Sequence, residues 1–393
     1  MKKKLLAILV STAMIATALV GCGSEKPAEA PAADAPAAEA DASSGDDAAA
    51  VPAPSGDVDL SNLKVGVLIN TTRNDGGWCE CQCIGIEGAK DMLGLSDDQI
   101  VYIEGVAEDT IAASNAVEQL VDEGCNMIFG VSTGYAPVLN ELYAEYPEVM
   151  FVQVGVPVEN ITTYHVRAYD AMYSIGYLVA KMSDTDELGY VAGMSEASVR
   201  FSINAFALGA KAANENATVN LLWANSWYDP AAEGECAKTL ASNGMKYIAT
   251  GCSSPGVAQT CSEQGAFTTG YNLDVTDYAP DAVLVSCVWN WAPIMAQIMT
   301  DYAANGYQPL VESLFWGAEH GCAQMAYNDA LVSPELQAEA NAVLESIANG
   351  EFAVFDGPLT DNEGNLLVEE GATMSDEIIL DQSFLVDNVN GTW

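Results

Sequence analysis

The sequence predicts an α/β protein built as two successive lobes, each a doubly wound parallel sheet. Three observations predict it. Short apolar runs rich in β-branched residues alternate with helical patterns, and the alternation runs once and then restarts at Leu188. Half of the 393 residues are hydrophobic, which is enough for sizeable cores and excludes a wholly disordered or fibrous chain. Strands separated by helices of this length need right-handed crossovers, and so lie parallel.

The elements follow in order. Lys64–Asn70 is a β-branched apolar run that ends in the loop Thr71-Thr-Arg-Asn-Asp-Gly-Gly77, and a helical pattern then continues to about Leu93. A strand near Ile100–Gly105, a helix from Thr110 to Asp122 and a strand at Met127–Val131 come next. A helix from Ala136 to Tyr146 and a strand Met150–Val154 complete the first set, and the pattern restarts after a helix Asp170–Met182. The second begins with strand Leu188–Ala192, a helix near Ser198–Asn214 and strand Val219–Trp223. Asp229-Pro230 supplies an N-cap and a helix-opening proline before a helix reaching Asn243. Strands at Tyr247–Ala249, Phe267–Thr269 and Val283–Cys287 follow. In open α/β sheets of this kind small ligands sit beyond the carboxyl ends of the strands. A two-domain dinucleotide-binding enzyme shows the same alternation.

Ahead of the lobes, Lys2-Lys3-Lys4 precede an apolar run, Leu5–Val20, that ends in Leu19-Val20-Gly21-Cys22. A short cationic stretch before so brief an apolar run reads as a secretory signal over 1–21. Its ending matches the bacterial lipobox, which makes Cys22 the lipidated N-terminus and holds the protein on a membrane without a spanning helix. Residues 22–57 are Ala, Pro, Glu and Asp with almost no large apolar side chain. They read as a disordered tether, extended by like charges.

Charge narrows the partners. Thirteen Lys and Arg against 55 Asp and Glu give a net charge of −42. Such a surface repels phosphate backbones, so polymer nucleic acid is not an expected partner. Two histidines, His165 and His320, do not suit a His-rich metal site, and no cofactor is expected. Besides Cys22 there are nine cysteines, an odd number that cannot all pair internally. Cys79, Cys81 and Cys83 fall in a helical pattern, where positions two apart point about 200° away from each other and do not converge on a metal. Free thiols are expected, with room for one disulfide.

The candidate binding residues cluster at strand ends. Asp75 and Trp78 follow the first strand: an indole to stack a flat ring and a carboxylate to accept its hydrogen bonds, or equally a turn aspartate and a plug. Phe201 lies near a helix start, hence near the cleft, while Phe206 reads as core. Trp227 follows a strand end and reads as a cleft residue or as cap packing. Asn272 and Asp274 are two apart, so in an extended segment they share a face suited to vicinal hydroxyls, with an Asx turn as the other reading. Trp289 and Trp291 close a strand as an aromatic wall or as core.

At these loops the chain resembles the basic membrane protein family of ABC-transporter substrate-binding lipoproteins, the purine nucleoside receptor type. The resemblance spans Lys64 to Trp393. It is carried by Asn204–Lys211, Asn225-Ser-Trp-Tyr-Asp-Pro230 with Glu233, Ser254-Pro255, Gly270-Tyr-Asn272 with Asp274, and Ala279-Pro280. Trp289-Asn-Trp291, Phe315-Trp-Gly317, Gly357-Pro358, Asp361-Asn362 and Gly364 continue it. It implies a type I periplasmic-binding-protein fold, two lobes joined by a three-segment hinge. The N-lobe is then 58–165 completed by about 292–320, and the C-lobe 166–291 completed by about 321–393. The resemblance further implies that Asp75 and Trp78 are the first-loop acid and base-stacking aromatic, and that Asn272 and Asp274 stand at the acidic strand end.

The departures are Cys79 where the family's first-loop motif has Asn, and Gly251 and Ser253 where many relatives have His and Asp. Trp289 stands where the nucleoside-binding branch carries Lys. The ligand expected is a purine nucleoside or nucleobase, with the choice open. A monomer working with an ABC permease and ATPase follows from the same resemblance. No Gly-x-Ser-x-Gly, Walker loop or His-Glu-x-x-His motif appears, so capture without turnover is expected. A lipid-anchored sensor using the same cleft is the alternative, and a nucleoside hydrolase or thiol-redox enzyme is third.

Overall fold

The structure is a computed structural model that describes residues 58–393. The signal over 1–21, the lipidation at Cys22 and the tether over 22–57 lie outside the described residues.

The first sheet is entered at once. β1 (Val65–Leu68) leads to α1 (Trp78–Leu93), β2 (Ile100–Ile103), α2 (Thr110–Asp122), β3 (Met127–Gly130), α3 (Ala136–Leu142), β4 (Met150–Val154) and β5 (Thr162–Val166). All of these strands pair in parallel, in the order β2-β1-β3-β4-β5. Local chemistry sets the bounds. The Asp109 carboxylate accepts the backbone N–H of Ile111 and of Ala112 at 3.0 and 2.9 Å, opening α2. Gly124 closes that turn at φ 89°.

The chain then crosses to a second body. α4 (Tyr169–Met182), β6 (Glu187–Ala192), α5 (Ala197–Ala213), β7 (Thr218–Trp223), α6 (Pro230–Ser242), β8 (Tyr247–Gly251), α7 (Gly256–Gln264), β9 (Phe267–Asn272) and β10 (Val283–Trp289) follow. These strands are again parallel, in the order β7-β6-β8-β9-β10. α8 (Ala292–Ala304) returns to pack on α1, and β11 (Ser313–Trp316) joins the first sheet beside β5. β12 (Ala323–Tyr327) runs antiparallel to β10 at the edge of the second sheet. After α9 (Pro334–Ala348), the hairpin β13 (Leu359–Thr360) with β14 (Leu366–Val368), and α10 (Asp376–Leu380), β15 (Val389–Asn390) closes the other edge beside β7.

This is the two-lobe architecture expected, with three crossings between the sheets: β5 to α4, β10 to α8 and β11 to β12. The crossings are stitched together. Arg167 pairs with Glu319, its backbone N–H donates to Trp316 O at 2.7 Å, and Asp170 Oδ2 accepts Ala318 N–H at 3.0 Å. Asn290 Nδ2 donates to Gly321 O at 3.0 Å. Within the second lobe α4 and α5 cross closely because glycines face backbone: Gly176 lies against Phe206 O and Gly209 against Tyr173 O. Any Cβ at either would collide.

Every element from α8 onward escaped the sequence reading, as did β5 and α7, and three of these show why. β5 is Thr-Thr-Tyr-His-Val, fully buried yet polar in composition, so it shows no apolar run. α8 is apolar on nearly every side because it packs on α1 with most of its residues buried, which erases helical periodicity. α7 is short and polar.

Candidate functional site

The site is assembled where the carboxyl ends of both sheets meet the crossings. The loop after β1 delivers Asp75, whose carboxylate is consumed locally. Oδ1 accepts Gly77 N–H at 3.0 Å and Glu80 N–H at 3.1 Å, and Oδ2 accepts Thr71 Oγ1 at 2.8 Å and Cys79 N–H at 3.3 Å. A carboxylate there satisfies the orphan donors of α1 and favours its positive end. Trp78 opens α1, half-buried, and its indole N–H donates to Val131 O at 2.6 Å, which fixes the ring against β3.

From the other lobe, Trp289 ends β10 and Trp291 sits just before α8 in helical conformation. The strand does not continue through Trp291, yet the two indoles still touch, with centroids 5.6 Å apart. Trp78 stands edge-on to both, at 5.7 and 5.6 Å. Tyr271 packs on Trp289 at 5.3 Å, and His165 lies 5.7 Å from Trp289 and 5.9 Å from Trp291. Trp289 is 3% exposed and Trp291 1%. Residues from α1, β5, β9, β10 and the second crossing therefore form one continuous aromatic floor between the lobes.

Phe201 is fully buried beside Tyr169 and His165, behind that floor. Phe206 packs on Tyr190 in the core of the second lobe. Trp227 is half exposed next to Tyr228, which lies at the rim near Asp75 and Tyr278. Asp274 is exposed, and its Oδ1 accepts Thr276 N–H at 3.0 Å, Thr276 Oγ1 at 2.6 Å and Ser286 Oγ at 3.1 Å, an Asx turn. Asn272 is buried in the left-handed region at φ 68°. Its Nδ2 donates to Ser253 Oγ at 3.2 Å, while Oδ1 has no partner among the described residues.

All nine described cysteines are free thiols. Cys79 Sγ donates to Asn70 Oδ1 at 3.0 Å, and burial pushes its thiol up to about 11. Cys81 donates across the lobe boundary to Asn272 O and Trp289 O, both at 3.3 Å, and burial raises it further. Cys83 is pushed up by burial to about 12. Burial thus favours the neutral thiol at all three, and Cys79 and Cys81 use it as a donor. The indole N–H groups of Trp289 and Trp291 find no oxygen acceptor among the described residues and face the thiols of Cys287 and Cys81. Burial drives the His165 imidazole down to about 4 and the Asp170 carboxyl up to about 7.

Sequence reasoning missed His165, Tyr271, Cys81 and Ser253 as parts of this site. Ser253 was visible beside the Ser-Pro motif and Tyr271 within Gly270-Tyr-Asn272, but His165 and Cys81 carry no local signal for this place. A surface pocket of about 660 Å³ lies on the side of α1 that carries Cys83 and Glu87, but there Arg73 pairs with Glu104 at 3.0 Å and covers Tyr102.

With that geometry in place, the comparisons are decisive about kinship. The Bmp family, described as ABC transporter substrate-binding protein PnrA-like, matches residues 62–356. The chain belongs to the Bmp family. A purine-binding protein of Brucella abortus (strain 2308) is 26% identical to this Bmp protein over 332 residues, 84% of this chain and 93% of the relative. A Haloferax volcanii protein named for glucose binding by an ABC transporter is 28% identical over 275 residues, 68% of this chain and 70% of its own. Among solved structures, an ABC transporter solute-binding protein from Conexibacter woesei superposes with TM-score 0.62 at 18% identity, covering 74% of this chain and 98% of that one. This Bmp protein is thus a substrate-binding protein of ABC-transporter type with a two-lobed α/β fold. No described helix is long and apolar enough to cross a membrane.

Proposed function

We propose that this Bmp-family protein is tethered through a lipid on Cys22 to the extracytoplasmic face of a bacterial membrane. There it captures a purine nucleobase or nucleoside and hands it, unchanged, to an ABC permease and its ATPase. The moving bodies of this reading are 58–165 with 292–320 and 166–291 with 321–393, acting as a monomer. The observation that carries the ligand class is the contact of Trp78 from one lobe with Trp289 and Trp291 from the other. Aromatic rings that meet edge to face between the lobes offer their faces to a flat heterocycle once the lobes part, and each base stacked on such a ring gains roughly 1–3 kcal/mol. Closure around that plate desolvates it and gives the permease a distinct shape to read. The Brucella relative's name supports a purine over the sugar named for the Haloferax relative.

Capture needs no reacting group, and the site supplies none in a reactive state: the thiols are neutral and Asp75 is fully occupied. Mass spectrometry of small molecules released from the purified full-length chain, followed by calorimetry with adenine, adenosine, guanosine and inosine, tests the reading. A purine released and rebound supports it. A released sugar with no purine binding overturns it.

A further inference from the structure

Resting on that purine reading, we propose that the cleft takes the free base and rejects its ribosyl form, with Asn272 Oδ1 as the acceptor for a base N–H. A ribose presents a vicinal diol, and its strongest partner is an ionised carboxylate with free lone pairs. The carboxylates around this cleft are engaged by their own loops, Asp75 through both oxygens and the others in part. Asp75 accepts four hydrogen bonds from its own loop and helix. Asp274 is folded back through Oδ1 on Thr276 and Ser286, which turns its exposed Oδ2 to solvent at the mouth and not to the depth where Asn272 lies. Glu80 accepts Gly76 N–H at 2.8 Å, and the fully buried Glu233 accepts Asp229 N–H at 3.0 Å together with Ser254 Oγ.

What remains is a neutral amide. Asn272 is 1% exposed, held at φ 68° by the strand end and pinned through Nδ2 to Ser253 Oγ. Its Oδ1 is buried with no donor among the described residues. Left unmade, such a bond is costly, so a buried lone acceptor selects a ligand that brings an N–H. Ring N–H groups and exocyclic amines of a purine are donors of that kind.

Depth points the same way. Behind Asn272 the lobes already touch: Cys81 Sγ reaches Asn272 O and Trp289 O, and a Cβ on Gly77 would lie 2.5 Å from Ser253 O. The floor rings pack on one another at 5.3–5.9 Å. A base is one ring thick and enters with a small parting of the lobes. A nucleoside adds a puckered, hydrated sugar, which has to displace Trp289 or Trp291 from that packing or leave its hydroxyls unpaired.

The test is calorimetry on the full-length chain, freed of co-purified small molecules, with adenine, guanine and hypoxanthine, each compared with its own nucleoside. At least one base is expected to bind about a hundredfold more tightly than its nucleoside. Asn272→Leu is expected to weaken that base about tenfold or more, and Asn272→Asp to narrow the base-to-nucleoside ratio. A nucleoside binding as tightly as its base overturns this inference and leaves the purine reading standing. Binding of neither bases nor nucleosides brings down both. Unchanged base affinity in a folded Asn272→Leu variant overturns the role of Asn272. The base-to-nucleoside ratio of the unaltered protein is read without any variant, so a variant that fails to fold leaves the test intact.

Discussion

Two aromatic groups flank the same mouth under opposite conditions. At the floor, Trp289 and Trp291 are sealed, and Trp78 joins them edge-on from the other lobe. At the rim, Trp227 and Tyr228 are each 50% exposed and Tyr278 48%. Tyr228 feels the charge of Asp75 across the mouth, although burial is the larger cause of its raised pKa. The floor rings answer to both packing and ligand, because removing one opens a cavity between lobes. The rim rings answer to packing very little. A tryptophan at a strand end is therefore not one kind of residue, and its exposure decides which experiment reports on it.

The comparison breaks most sharply at Trp291. Trp291→Ala is expected to cost about 3–5 kcal/mol of stability in a denaturant titration. A loss near that of an exposed residue would mean the floor is not core. Trp78 is half-buried, so Trp78→Ala is expected to weaken purine binding by about 1–3 kcal/mol in calorimetry while lowering stability less than Trp291→Ala does. Equal losses at both positions would make Trp78 a plug and not a binding surface.

pH probes the floor without deleting a tryptophan. His165 touches the floor rings, and its pKa is depressed to about 4. Between about pH 4 and 6.5 the unfolded chain holds a proton there that the folded chain does not, so this term raises stability as pH rises. Asp170, at the first crossing, is raised to about 7 chiefly by burial, against Ala318 N–H and Arg167, with Glu319 and Asp376 adding to the rise. Between about pH 4 and 7 the folded chain holds the extra proton, so this term lowers stability as pH rises. The two oppose each other over their shared window. Asp170→Asn is expected to tilt the stability profile upward with pH relative to the parent, by up to about 1.4 kcal/mol per pH unit. His165→Gln is expected to tilt it downward. Profiles parallel to the parent in both variants would remove these groups from the pH response. At the small end, Trp227→Ala is expected to change stability by no more than about 0.5 kcal/mol, and a larger melting shift would show the rim to be packed.

Much of this was legible beforehand because it is written in local patterns. The helix over Thr110–Asp122 coincides with its expected bounds, since Asp109 and Gly124 mark its ends in the chain itself. The helix opening at Pro230 was equally plain from Asp229. The site was legible only in part. Asp75, Trp78, Asn272, Trp289 and Trp291 do gather at the strand ends, but their hydrogen-bonding state was open: Asp75 is occupied by its own loop and Asp274 through one oxygen, while Asn272 keeps an acceptor with no donor among the described residues. His165 and Cys81 had no local signature, because their neighbours arrive from segments more than a hundred residues away.

Periodicity, caps and turn residues are short-range forces recorded within a few positions, and they were sufficient here for two α/β lobes and for the residues placed at strand ends. Which of seven tryptophans is wet, which carboxylate is already satisfied and which acceptor is left unpaired depend on the approach of distant segments. That approach comes from packing and crossing geometry, and no stretch of the chain records it alone.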